Sequence, residues 1–255
     1  ALYLADEELL VDIDRLRWFI EWNQLHIINT VPIMMKELLA DGPKLKSLRA
    51  VLSGGDKLDE TLKDILLERG YELYNHYGPT EVTVDALTTK CTNGPVVLGK
   101  PIANVECYIL GGHGELMPVE VAGELIIGGR GVARGYLNKP ELTADRFNFN
   151  RSYGTNRTYI YFKTGDLCRW LPCGNIEFLG RIDQQVKIRG FRIELGEIEN
   201  CLLKHAQIND AIVVAREDAA ADKYLAAYYV SDHEISEAEL RGFLAEDLPG
   251  YMLPS

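Results

Sequence analysis

The sequence predicts an α/β fold that passes into a small α+β unit, and three observations carry that prediction. Residues 1–90 alternate helix-period and strand-like apolar runs punctuated by glycine turns, the βαβ pattern of a parallel sheet. From about Pro95 the texture changes to short β-rich runs separated by Gly, Pro and Asn, suggesting a small antiparallel sheet or barrel-like unit. After Arg181 it changes again, to a hairpin, a helix, two strands and a helix. The expected organisation is one large domain, 1–182, divided into an α/β part (1–94) and a β-rich part (95–182), followed by a small domain, 183–255. A length of 255 residues allows one large or two modest domains.

Each element has a local reason. Ala1-Leu2-Tyr3-Leu4 reads as part of an apolar strand. Asp6–Trp22 reads as one helix, with Leu9, Ile13, Leu16 and Ile20 on one face and acids in its first turn. His26–Val31 is an apolar run stopped by Pro32, hence a buried strand, and Ile33–Leu39 a short helix. Leu48–Leu52 is a second strand closed by Gly54-Gly55. Leu58–Glu68 is a helix ended by Arg69-Gly70, and Tyr71–Tyr74 a third strand. Ligands sit at the carboxyl ends of such strands. The β-rich runs are Val105–Leu110, Glu124–Ile127, Tyr159–Phe162 and Asn175–Leu179. In the last unit Gln185–Ile193 reads as a hairpin turning at Gly190. A helix follows at Gly196–His205, then strands Ala211–Val214 and Leu225–Val230, and a helix at Glu237–Leu244.

Composition excludes several function classes. Hydrophobic residues are 47% and charged residues 25%, ordinary for a protein with a real core. The formal net charge of −11, with Lys and Arg scattered apart from a cluster near Arg181–Arg192, argues against a nucleic-acid partner. Five cysteines (Cys91, Cys107, Cys168, Cys173, Cys201) form no CxxC pair, so reduced thiols in a cytoplasmic protein are expected. No run of about 18 apolar residues could span a bilayer. The chain starts without Met and without a signal peptide, and reads as an excised segment. In that setting the sequons at Asn150 and Asn156 read as chance.

The chemistry lies in loops. NHYGPTE (75–81) follows a predicted strand. Gly78-Pro79 forces a tight turn, with an aromatic before it and a hydroxyl and a carboxylate after it. That set suits a nucleotide, with Tyr77 against a base, Thr80 on a phosphate and Glu81 on Mg²⁺; taken alone, it reads rather as a surface turn with a capping Thr. VLSGGDKL (51–58) is a strand–Gly-Gly–helix turn that lets Gly54, Gly55 and Asp56 approach a ligand by their backbone. GELIIGGRGVARGYL (123–137) has glycines spaced unlike a dinucleotide fingerprint and follows no βα pattern, so a Rossmann reading is rejected. YFKTGDL (161–167) places Asp166 at a loop tip after a strand, where it can accept two hydroxyl protons, as a ribose diol requires. GRIDQQVKIRGFRIELGEIE (180–199) joins the last two units, and LPGYMLP (248–254) closes the chain.

In this order and spacing, these six segments resemble the second half of the core motifs of nonribosomal peptide synthetase adenylation domains. These domains belong to the superfamily that also holds acyl-CoA synthetases and firefly luciferase. The resemblance covers essentially the whole chain. It implies the later part of a large adenylate-forming domain, a parallel αβ sheet plus a β-barrel-like subdomain, followed by a small mobile domain. The implied reaction joins a carboxylate to ATP, releases pyrophosphate, and passes the acyl group to the phosphopantetheine thiol of a peptidyl carrier protein. Condensation domains would be neighbours in a larger chain. By this resemblance Asn75 would meet the adenine amino group, and Tyr77 would pack on the ring. Thr80 would contact the α-phosphate, and Glu81 would hold Mg²⁺. Asp166 would bind the ribose hydroxyls, Phe178 would flank the nucleotide, and Arg181 would contact the ribose–phosphate side. Asp183 would be the hinge about which the small domain swings, and the Lys187–Gly190 hairpin the face presented during thioester formation. Phe178 as a core aromatic and Arg181 as a solvated linker charge are the bland alternatives.

The resemblance also implies that the Ser/Thr/Gly-rich phosphate loop lies before residue 1 and the catalytic lysine beyond Ser255, so that the segment alone is inactive. The implied side-chain pocket contains Thr30, Val51, Ser53, His76, Val84 and Asp85. A carboxylate, an imidazole and two hydroxyls need polar partners, so a polar, possibly cationic, amino acid is expected. Two other readings stand beside this one: an acyl-CoA synthetase, and a noncatalytic nucleotide- or carrier-docking fragment.

Overall fold

The computed structural model describes residues 2–148, 160–183, 185–217 and 223–255. Both sequons, Tyr159 and Ala1 lie outside them. The chain divides into two units, residues 1–182 and 183–255.

In the first unit, residues 2–6 form no strand, and Leu2 and Leu4 are exposed, which corrects the apolar-strand reading. An extended segment with no ladder partner has nothing to satisfy its backbone groups except water. The single helix expected over 6–22 is two, α1 (Glu7–Leu10) and α2 (Ile13–Trp22). They part at Asp12, whose carboxylate accepts from the Arg15 N–H at 3.0 Å and so starts α2 afresh. β1 (Ile27–Thr30) leads to α3 (Pro32–Met35), which opens on proline and runs into a π-helical turn at Lys36–Ala40. β2 (Ala50–Ser53) is followed by α4 (Glu60–Glu68), where Asp59 accepts from the Leu62 N–H at 2.9 Å. β3 (Glu72–Tyr77), β4 (Leu87–Lys90) and β5 (Lys100–Pro101) complete a sheet of order β1-β2-β3-β4-β5.

β1, β2 and β3 are parallel, whereas β4 and β5 run antiparallel. The sheet is therefore mixed, where the sequence pattern suggested a parallel one. The reason is length, because residues 78–86 are too few for a parallel crossover. Val51 and Leu73 pack beneath Leu16, Ile20, Met35, Leu38 and Leu66, forming the first core.

The β-rich part holds β6 (Val105–Leu110), β7 (Gly123–Gly129), α5 (Pro140–Arg146), β8 (Phe147–Asn148), β9 (Tyr161–Trp170) and β10 (Ile176–Arg181). Among the described residues they build an antiparallel sheet of order β10-β9-β7-β6, with β8 also paired to β9. Ile109, Leu125, Ile127, Phe147 and Phe162 form its core. Helix α5 escapes the sequence pattern because it buries no residue fully and so has no apolar stripe.

The second unit has β11 (Val186–Ile188) and β12 (Phe191–Ile193) in a hairpin, α6 (Leu195–Leu202), the long pair β13 (Ile208–Glu217) and β14 (Lys223–Ser231), and α7 (Glu237–Asp247). Ser236 caps α7 by accepting from the Glu239 N–H at 3.2 Å. Ile193, Ile198, Leu202, Val213, Leu225 and Leu244 close a separate core. Among the described residues no helix is long and apolar enough to cross a membrane.

Candidate functional site

Three strands bring Tyr77, Asp166 and Arg181 to one point. Tyr77 ends β3, and Asp166 and Arg181 are cross-strand partners in β9 and β10. The Tyr77 hydroxyl donates to Asp166 Oδ2. Arg181 Nη1 donates to Asp166 Oδ1 at 2.8 Å and to the Thr164 carbonyl at 3.0 Å. Asp166 is only 6% exposed and receives donors on both carboxylate oxygens. The Tyr77 ring is half-buried with its hydroxyl turned inward. Burial, and then the Asp166 carboxylate, push its phenol well above the ordinary tyrosine value.

Asp166 does not sit at a loop tip, as the TGD motif suggested. It lies inside β9, in a bulge where β9 and β7 lose register between Glu124 and Ile126. Gly165, at φ +72°, absorbs the extra length without the chain leaving the sheet. Thr164 pins the bulge, its hydroxyl donating to the Leu125 carbonyl at 2.7 Å and accepting from the Asp166 N–H at 3.0 Å. β10 slips register opposite, between Phe178 and Gly180, and this slip sets Arg181 across from Asp166. Phe178 itself packs against the second core.

The acidic turn follows Tyr77 directly. Thr80–Val82 is a single 3₁₀ turn, with Thr80 exposed and Glu81 half-buried. Thr83 and Val84 come next at φ +66° and +68°, a left-handed pair that β-branched residues seldom adopt. The turn folds back so closely that a Cβ on Gly78 would lie 2.3 Å from the Val84 carbonyl oxygen. Glu81 Oε1 accepts from the Tyr136 hydroxyl at 2.7 Å. No cluster of three or more His, Cys, Asp or Glu able to hold a metal occurs among the described residues. Glu81 with the neighbouring Thr80 hydroxyl is nevertheless a hard oxygen set that fits Mg²⁺, which takes one or two carboxylates together with substrate phosphates.

The residues expected to line a side-chain pocket are spread over both faces of the first sheet and the turn after β3. Thr30, Ser53 and Asn75 stand in register across β1, β2 and β3, and Val51 is fully buried in the first core. His76 projects from the opposite face by strand alternation, and a Cβ on Gly54 would lie 3.8 Å from its Cβ. Gly55 and Asp56 continue the turn after β2, the Asp56 carboxylate accepting from the Lys57 N–H at 2.7 Å. His76 Nδ1 lies 3.2 Å from Asp85 Oδ2, yet it is out of line for a hydrogen bond, so the contact is ionic only when His76 is protonated. Val84 is 63% exposed. The Asn75 amide donates to the Val97 carbonyl at 2.8 Å. Ser53 Oγ and His76 Nδ1 are the buried side-chain polar atoms left without a hydrogen bond among the described residues.

In the second unit, the Asp183 carboxylate accepts from the Gln185 N–H at 3.2 Å, and Lys187–Gly190 spans β11 and its turn. Sequence reading missed Thr164 and Tyr136. Thr164 sits in the TGD motif and was legible there as a buried hydroxyl; Tyr136 lies 55 residues from Glu81, beyond any local signal.

The profile of the AMP-binding enzyme family matches residues 1–137, and that of the AMP-binding enzyme C-terminal domain matches residues 197–255. Tyrocidine synthase 3 of Brevibacillus parabrevis is 44% identical over 263 residues, covering 100% of this chain and 4% of that protein. Tyrocidine synthase 1 of the same organism is 42% identical over 260 residues, covering 100% of this chain and 23% of its own length. The chain thus spans less than a quarter of either relative. Among solved structures, NpsA-ThdA, an artificially fused adenylation–PCP di-domain of a peptide synthetase from Klebsiella oxytoca, aligns with 99% of this chain and 47% of its own. The TM-score is 0.80 and the identity 27%. The chain belongs to the AMP-binding enzyme family, with the match to its C-terminal domain following the match to the enzyme itself.

Proposed function

We propose that this chain forms part of an amino-acid adenylation domain of a nonribosomal peptide synthetase. The supporting observation is the meeting of Tyr77, Asp166 and Arg181 at the junction of two sheets, with the acidic turn three residues from Tyr77. A carboxylate held by two donors is a fixed acceptor for a ribose diol, and Arg181 beside it faces the phosphate side. The Tyr77 ring and Asn75 lie toward the base. Gly54, Gly55 and Asp56 let backbone approach the nucleotide, and Thr80 reaches the α-phosphate. Bound at Glu81, Mg²⁺ would offset charge on the departing pyrophosphate.

The reaction balances in two steps. A substrate carboxylate oxygen attacks the α-phosphorus and the bond to the β-phosphate breaks, giving aminoacyl-AMP and pyrophosphate. A phosphopantetheine thiolate on a peptidyl carrier then attacks the acyl carbon and AMP leaves. Asp183 would be the hinge between the steps, with the Lys187–Gly190 hairpin presented in the second. The buried, unbonded Ser53 hydroxyl and the His76–Asp85 pair favour a polar or cationic amino acid over an aliphatic one.

Amino-acid-dependent ATP–pyrophosphate exchange by the adenylation domain containing these 255 residues tests the reading. Exchange is expected with polar or cationic amino acids, and Asp166→Ala is expected to lower it roughly 10²–10³-fold. A preference for Leu or Val would end the polar-pocket idea. An unchanged KM for ATP in Asp166→Ala would end the nucleotide cradle.

A further inference from the structure

We propose that the glycine-rich segment Arg130–Tyr136 is a clamp for the acidic turn and that Tyr136 is the positioning residue for Glu81. The inference rests on the proposed role of Glu81 in holding Mg²⁺. The segment belongs to the GELIIGGRGVARGYL run, which fits no nucleotide fingerprint and has no task in the reading above.

Its contacts supply the task. The Thr83 hydroxyl donates to the Gly131 carbonyl at 2.6 Å, and the Ala133 N–H donates to the Glu81 carbonyl at 2.8 Å. The Tyr136 hydroxyl reaches the Glu81 carboxylate itself. A Cβ on Gly131 would stand 2.9 Å from the Val82 carbonyl oxygen, so glycine allows the clamp to close. The clamp therefore holds the turn on both sides of Val82, the stretch that runs into the left-handed pair Thr83-Val84. A turn with two strained β-branched residues relaxes unless its surroundings over-determine it.

Tyr136 is in turn seated firmly. Its ring meets Phe147 edge to face at 5.3 Å, and its N–H donates to Thr143 Oγ1 at 2.9 Å. Thr143 donates to the Lys139 carbonyl at 2.8 Å. Phe147 belongs to the core of the second sheet. The position of the Glu81 carboxylate is thereby set by the β-rich part of the unit, while its backbone follows from β3. Fixing an anionic ligand before the cation arrives avoids reorganisation at the moment of reaction. A tyrosine that served only as core would need its ring and not its hydroxyl.

Tyr136→Phe separates these roles. In the intact adenylation domain, the variant is expected to raise the Mg²⁺ concentration for half-maximal exchange roughly tenfold, as loss of one hydrogen bond to a charged group implies. Mn²⁺ binding in the presence of ATP, read by water-proton relaxation, should weaken in parallel. In the 255-residue chain, hydrogen exchange of peptides covering 78–86 should quicken while β13 and β14 stay unchanged. In a Glu81→Ala background Tyr136→Phe should add nothing to the metal dependence. Thr143→Val, which removes the seat of Tyr136 without changing shape, should shift metal dependence in the same direction, and carries the test if Tyr136→Phe does not fold. Metal dependence and 78–86 exchange equal to those of the parent would overturn the clamp. If Glu81→Ala also leaves metal dependence untouched, the reading of Glu81 is what has failed.

Discussion

Asp166 receives one donor from β3 and another from β10 while its own backbone is tied to Thr164, so a single carboxylate records the packing of two sheets. Its identity was legible because Thr-Gly-Asp is an unusual run; its setting was not, because a bulge and a loop have the same local sequence signature. The cysteines show the same limit. Their spacing excludes disulfide and zinc frameworks, but only the fold says which are reachable. Cys173 is exposed, and Cys91, Cys107, Cys168 and Cys201 are buried. Burial pushes the Cys91 thiol up to about 11 and the Cys107 thiol up to about 12. Titration of the native chain with a disulfide reagent at pH 8 should therefore release one equivalent quickly, and the other four only on denaturation. Two or more fast thiols would contradict this burial.

At the scale of elements, the strongest local rules held where hydrophobic runs were bounded by glycine, proline or a capping acid. β2 and α4 follow such runs closely, whereas β1, expected as a buried strand, lies at the edge of its sheet with no residue buried. The rules failed where a local cap was overlooked, where a bulge passed for a loop, and where a connection was too short for a crossover. One amphipathic stretch became two helices at Asp12, one strand continued through a glycine, and an antiparallel β4 joined a parallel set. The turn after β3 offers a direct test. Gly78→Ala would push a methyl group against the Val84 carbonyl and the Ala86 N–H. A cost of roughly 1–3 kcal/mol is expected in urea unfolding. Wild-type stability in that variant would show that the close approach does not constrain the turn.

Across the whole molecule, two units carry separate cores. The core of the second runs from Ile188 to Met252 and draws on no residue before 183. Residues 183–255 should consequently fold alone, though a domain of that size is marginal because it buries a small share of its surface. Dispersed amide resonances and a cooperative melt are expected of the isolated piece; a collapsed spectrum would mean that its core depends on the first unit.

By themselves the residues determined the succession of elements, the class of the fold, and the loops that make up the candidate site. These are encoded within a few residues, in alternation, caps and turn-forming pairs. Only the tertiary structure decided that Tyr77 meets Asp166 across 89 residues and that Tyr136 holds Glu81 across 55. Those outcomes depend on sheet order, strand register and a pair of facing bulges. Such features arise from packing between distant segments, and no local pattern specifies them.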